Sequence, residues 1–148
     1  MSKAEMAVSR FKEGALCSQS VFTSFSEELG LDRETASKIA TPFGGGMSRM
    51  GETCGAVTGA FMAIGLKHGN MSNWKEDDPQ KDKVYDLTIR FVHEFTGIHG
   101  SIKCSDLLGC NIGTPEGRQI AKDKDLFTTL CPGFVRDAAV ILDKLLST

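Results

Sequence analysis

Apolar residues recur along this chain three and four positions apart, and runs of alternate apolar positions are almost absent. That is the period of helices burying one face, so the pattern predicts an all-α fold. A first helix is expected over about residues 3–13, with Gly14 as its stop. A second opens at Cys17 and carries Leu16, Val21, Phe22, Phe25 and Leu29 as a stripe that ends at Gly30. Asp32 can accept from the unpaired N–H groups of a third helix, which runs toward Thr41 before Pro42. The glycines Gly44, Gly45 and Gly46 end regularity there. A fourth helix, about residues 53–67, is capped by Thr53, lined by Cys54, Val57, Phe61 and Ile64, and apolar nearly all round, which makes it central.

The charged stretch Lys75 to Lys83 reads as a solvated loop between two halves of the chain. Beyond it, Val84, Leu87, Phe91, Phe95 and Ile98 form a helical series ending near Gly97 to Gly100. A short helix is expected over Cys104 to Leu108. Another begins at Thr114-Pro115-Glu116, with threonine as cap and proline where its missing N–H costs nothing. The last starts at Cys131-Pro132 and buries Phe134, Val135, Ala138, Ile141, Leu142 and Leu145. The expectation is one compact helical domain over residues 1–148, with about six to eight helices.

Charge changes this picture little. The 17 basic and 19 acidic side chains are spread along the chain, with no basic block and one Trp and one Tyr for base stacking, which argues against nucleic acid. The longest apolar stretch, Cys54 to Leu66, falls short of the ~20 residues that cross a bilayer. The N-terminal residues lead into no signal-peptide core, so a cytoplasmic location and no membrane association are expected.

Cysteine changes it more. Five cysteines in 148 residues are too few for a disulfide scaffold, and their odd number leaves one unpaired, which suits a reducing compartment. Four of them, Cys17, Cys54, Cys104 and Cys131, sit where helices begin. A helix start offers unpaired N–H groups and partial positive charge, which favour a thiolate over a thiol. Free cysteine is also a common buried hydrophobe, and taken singly each of the four could be only that. Four at four helix starts fit an anion better than an apolar contact. Their separations of 36, 49 and 26 intervening residues contain no Cys-x-x-Cys pair, which excludes zinc-ribbon, thioredoxin, haem-attachment and ferredoxin signatures. Any common site must be assembled by the fold.

The residues around them are informative in smaller ways. Gly55, Ala56, Gly59, Ala60 and Ala63 give the fourth helix a small face, suited to close helix packing or to leaving room beside Cys54. The loop Phe43 to Glu52 lacks the Gly-Lys-Ser/Thr of a phosphate loop; it reads as a turn delivering Cys54, with Arg49 able to offset nearby negative charge. His68 is expected to be solvated at a helix end and His93 to face away from the core. His99, five residues before Cys104, is the histidine to keep as a proton donor or ligand. Cys110 follows a helix and breaks the rule of the other four; it reads as structural, with pairing to Cys104 as the functional alternative.

Together, Cys17, the Phe43-Gly44-Gly45-Gly46-Met47 loop, Cys54-Gly55-Ala56-Val57-Thr58-Gly59, Cys104-Ser105-Asp106-Leu107-Leu108-Gly109, Thr114-Pro115-Glu116-Gly117 and Cys131-Pro132 make a long ordered set. On these residues the chain resembles the C_GCAxxG_C_C family of redox-active proteins. The resemblance implies a helical domain whose signature cysteines are Cys17, Cys54, Cys104 and Cys131, with Cys110 outside the set. The family is similar to one domain of the split-Soret cytochromes, which bind haem and an iron–sulfur centre; with no haem-attachment motif here, no haem is expected.

Three chemistries follow if the four sulfurs converge. They can hold an iron–sulfur cluster for electron transfer, with all four as ligands. They can exchange thiols and disulfides, with Cys54 attacking and Cys17 as its catalytic partner. They can bind structural zinc. A cofactor-free helical interaction protein that forms a homodimer is the competing class, and the redox readings also require an electron or thiol partner that the sequence does not name.

Overall fold

In the computed structural model the described residues are 1–70, 74–75 and 77–147. The chain folds as α1 (Lys3–Lys12), α2 (Cys17–Ser26), α3 (Arg33–Ala40), a 3-10 turn (Thr41–Phe43), α4 (Gly44–Met47), α5 (Gly55–His68), α6 (Pro79–His99), α7 (Cys104–Leu108), α8 (Pro115–Asp123), α9 (Leu126–Thr129) and α10 (Cys131–Leu146). Eight of these have five residues or more, and among the described residues the extended structure is one isolated antiparallel bridge, Thr53 with Lys103. The fold is all-α, as the periodicity predicts. No helix among the described residues is long and apolar enough to cross a membrane.

Helix α5 is the centre. It packs against α2, α6 and α10, and Ala56, Val57, Ala60, Ala63 and Ile64 are fully buried. Around it α1 lies on α2 and α10, and α3 lies on α2. The expected caps are present at several starts. Asp32 accepts from the Thr35 N–H at 2.9 Å, and Thr114 accepts from the Gly117 N–H at 3.0 Å. Helix α2 starts differently: the Leu16 N–H donates to the Gln19 side chain at 2.9 Å, which points back over the first turn.

Helix α2 departs from the expected single stripe. Besides Val21, Phe22 and Phe25 it buries Ser18, Ser20, Thr23, Ser24 and Ser26. Each hydroxyl donates to a main-chain carbonyl, four of them within α2 and its first turn and Ser18 across to Ala40 at 2.8 Å, so burial leaves none unsatisfied. A polarity pattern alone assigns serines to the solvent side, and local back-bonding is what removes the penalty here.

Two expectations need correcting. The stretch Lys75 to Lys83 is not all loop: Asp78 accepts from the Gln80 N–H at 2.9 Å and starts α6 at Pro79, so residues 79–83 are helical, while Glu76 lies outside the described residues. Ile98 is exposed, because Leu87, Phe91 and Phe95 define the buried face of α6 and Ile98 falls off it.

The contact between α2 and α5 is set by glycine. A Cβ at Gly59 would stand 2.7 Å from the Ser18 carbonyl oxygen and 3.3 Å from Val21 Cβ. Replacing Gly59 by alanine gains helix propensity but forces two backbones apart, and overpacking of this kind costs about 1–3 kcal/mol. Gly59→Ala is expected to lower unfolding stability by about that amount in urea titration. An unchanged midpoint would show that the helices separate freely.

Candidate functional site

Cys17, Cys104 and Cys131 are the first residues of α2, α7 and α10, and Cys54 is the N-cap of α5. All four expected helix starts are present. The cap of α5 is not Thr53, as the sequence suggests, because Thr53 is drawn into the bridge with Lys103. That short ladder has a larger effect. The Cys54 N–H donates to Ile102 O at 2.8 Å and the Cys104 N–H donates to Glu52 O at 2.6 Å, which sets two cysteines 50 positions apart in sequence on neighbouring strands of backbone. Ser105 reinforces it, its hydroxyl donating to Gly51 O at 2.7 Å.

Two glycines make the sulfurs fit. A side chain at Gly55 would collide with Cys17 Sγ, so the first residue of α5 is where the α2 cysteine rests. A Cβ at Gly46 would stand 2.6 Å from Cys104 Cβ and 2.8 Å from the Glu52 nitrogen. Gly46 belongs to a tight segment in which Gly45, Gly46, Met47, Ser48 and Arg49 all have positive φ, between 57° and 67°. Left-handed backbone costs about 1–2 kcal/mol for each non-glycine residue, so Met47, Ser48 and Arg49 are strained. The glycine run expected to end regularity and to deliver Cys54 makes one left-handed turn, held where the Ser48 hydroxyl donates to Pro42 O at 2.8 Å.

Cys17, Cys54, Cys104 and Cys131 line one cavity of about 640 Å³. Its walls are mainly apolar, including Leu16, Leu107, Leu108, Ile112, Phe127 and Phe134, and its charged lining residues are Arg49, Arg118 and Lys122, with no carboxylate. Among the described residues no three His, Cys, Asp or Glu side chains stand close enough to hold one metal ion. The sulfurs therefore surround a space rather than a point.

Burial decides the electrostatics. The helix starts led to the expectation of lowered thiol pKa values, and the opposite holds. Cys54 is pushed well above its ordinary value, first by burial and then by the neighbouring Cys17, Cys104 and Cys131 sulfurs, against one favourable N–H from Ala56. Burial also raises Cys17, although the main-chain N–H groups of Gly45, Ser18 and Gly55 point at its sulfur and pull the other way. Cys104 and Cys131 are each raised to about 12, by burial and by the Cys17 sulfur, with Cys110 also acting on Cys104 and Cys104 on Cys131. Removing a thiolate from water costs more here than a helix end returns.

The remaining candidates separate. His99 Nε2 lies 2.8 Å from Asp137 Oδ2, and its ring packs on Phe95 and edge-on to Phe134, so it ties α6 to α10 behind the cavity wall. It does not line the cavity. His93 is exposed, as expected. His68 is not solvated as expected: its Nε2 is buried with no hydrogen-bond partner among the described residues, and burial together with Lys83 and Lys67 lowers its pKa. Cys110 is a partly buried member of the core periphery that does not line the cavity. Arg118 and Lys122 escaped notice in the sequence, although their i, i+4 spacing on a helix that follows the Thr-Pro start was legible.

The raised thiol pKa values predict both reactivity and stability. In the reduced protein freed of metal by chelation, Cys104 and Cys131 should alkylate at pH 8 at least about a hundredfold more slowly than an unstructured cysteine, measured by mass spectrometry after iodoacetamide. Unfolded, these thiols ionise near 9.0, whereas folded they keep their protons to about 12. The folded state binds more protons in that window, so their stabilising contribution is complete below pH 9 and is lost progressively toward pH 12. Alkylation at the rate of a free peptide would contradict the buried arrangement.

Comparison with known proteins gives a family and a general role. No curated protein and no solved structure matches the chain. One family model does, over residues 15–145, and its description is "Putative redox-active protein (C_GCAxxG_C_C)". The description carries a redox role in general terms and names no cofactor or substrate. The match takes in nearly the whole chain and every cysteine around the cavity, and the chain belongs to the C_GCAxxG_C_C family.

Proposed function

We propose that the protein transfers electrons through an iron–sulfur cluster held by Cys17, Cys54, Cys104 and Cys131. The observation that carries this reading is the convergence of four thiols, two buried and two partly buried, on one cavity whose charged lining residues are all cationic. As free thiolates the four would repel one another in a medium that solvates them poorly, and bound cationic iron removes both penalties. Such a cluster, when bound, supplies reversible one-electron chemistry. The chain supplies the rest. Gly45 and Gly55 turn N–H groups toward the Cys17 sulfur, and hydrogen bonds to ligating sulfur raise a cluster's reduction potential. The apolar walls and the ring of Phe134 limit water at the sulfurs.

The other chemistries are less well supported. A structural zinc needs its ligands around one point, and the sulfurs here line a wider space. For thiol–disulfide exchange, attack by Cys54 with Cys17 as partner requires a thiolate at a position where burial and three neighbouring sulfurs oppose it.

The test is anaerobic purification and reconstitution with ferrous iron and sulfide. The expected result is a brown protein containing iron and acid-labile sulfide, with visible absorption bleached by dithionite. Serine in place of any one of Cys17, Cys54, Cys104 or Cys131 should reduce iron content severalfold, whereas Cys110→Ser should retain it. A colourless protein that takes up no iron, or one whose iron survives loss of Cys54 and Cys104 together, would overturn the proposal.

A further inference from the structure

The cysteine cavity is larger and differently charged than four sulfurs alone require. Arg49 approaches it from the left-handed turn, and Arg118 and Lys122 approach one helical turn apart from α8. No ion pair within the described residues engages any of the three, although Asp and Glu outnumber Lys and Arg in the chain as a whole. Arg118 is half-buried and its Nη1 donates to Ile112 O at 3.1 Å, which fixes the guanidinium beside a cavity wall. Arg49 and Lys122 are exposed, so the positive charge stands toward solvent while the thiols stand deeper. The N-termini of α2, α5 and α10 add partial positive charge from within. Leu16, Leu107 and Phe127 line the same cavity.

We infer that this cavity binds a small amphipathic anion, its carboxylate, sulfonate or phosphate held by Arg49, Arg118 and Lys122 and its apolar body directed along the walls toward the cysteines. Charge complementarity selects the anionic end: three cations with no lining carboxylate favour an anion and disfavour a cation of the same shape. The apolar walls select the body, as in most small-molecule sites, where a few polar groups orient a ligand that hydrophobic contact holds. A strained turn carrying Arg49 fits the same purpose, because the left-handed turn presents the cation at the mouth and, through Gly45 and Gly46, packs against the cysteines. This inference rests on the redox reading only for what the ligand would meet; the binding itself depends on the cations and walls, not on which chemistry the sulfurs perform.

The probe is anilinonaphthalene sulfonate, an apolar aromatic body with one anionic group, titrated calorimetrically into the 148-residue chain as purified. Phenylnaphthylamine, the same body without the charge, is the control. One sulfonate is expected to bind per chain, more tightly than the neutral compound and more weakly as salt rises. Arg118→Gln with Lys122→Gln should weaken the sulfonate about tenfold and leave the neutral compound unchanged. Arg49→Gln, which leaves the Arg118 hydrogen bond intact, should act in the same direction. Iron and sulfide content measured in the same variants separates the two readings. Unchanged metal content with lost sulfonate affinity supports an anion site. Charge-dependent sulfonate binding by a protein that takes up no iron supports the anion site while the cluster reading fails. Sulfonate affinity unaffected by removal of the cations, or equal affinity for the neutral compound, would overturn the inference, as would variants that lose iron but bind sulfonate normally.

Discussion

The close approach of α2 to α5 is the constraint on which the rest of the molecule depends. Gly59 lets the Ser18 backbone lie against α5, and Gly55, one turn earlier, lets the Cys17 sulfur rest on the helix start. One glycine packs the core and the other places a functional atom, so packing and site are the same contact. Everything else is arranged around this pair: α6 and α10 close the remaining sides of α5, and α3 is tied to α2 through Ser18. A wider spacing would relieve no strain and would move Cys17 away from Cys54.

The second sequence-distant contact, the bridge between Thr53 and Lys103, does for Cys104 what the glycines do for Cys17. Main-chain hydrogen bonds align the start of α5 with the start of α7, and the left-handed turn at Gly45 and Gly46 leaves the space those bonds need. The cost of that turn falls on Met47, Ser48 and Arg49, whose side chains disfavour the conformation. Strain of this kind is tolerated where the surrounding structure over-determines it, and here hydrogen bonds from Glu52, Ser48 and Ser105 do so. The same backbone thus brings two thiols together and presents a cation near them.

Convergence also reverses the local electrostatics. A single cysteine at an exposed helix start is an activated thiol, but all four here are held protonated by desolvation, and Cys54, Cys104 and Cys131 by neighbouring sulfurs as well. Thiols raised in this way ionise only where positive charge compensates them, and Arg49, Arg118 and Lys122 are the charged residues of the same lining. Four thiols and three cations thus share one mainly apolar cavity with no carboxylate in its lining.

The sequence by itself determined the helices, because period, caps and helix-stopping glycines are local: Asp32, Thr114, Gly14 and Gly30 act on their own neighbours. It also determined that Cys17, Cys54, Cys104 and Cys131 would stand at helix starts, since a start is written in adjacent residues. It was silent on the buried serines of α2 and misjudged the cap of α5 and the direction of the thiol pKa shifts, each of which depends on what lies across the fold. A hydroxyl's burial is cheap only with a carbonyl in reach, Thr53 is unavailable as a cap only once Lys103 pairs with it, and burial outweighs a helix end only when three other sulfurs and an apolar wall exclude water. Tertiary structure alone decided that four helix starts face one space and that Arg49, Arg118 and Lys122 share it, because distance between segments remote in sequence is set by packing and by main-chain hydrogen bonds that no local pattern encodes.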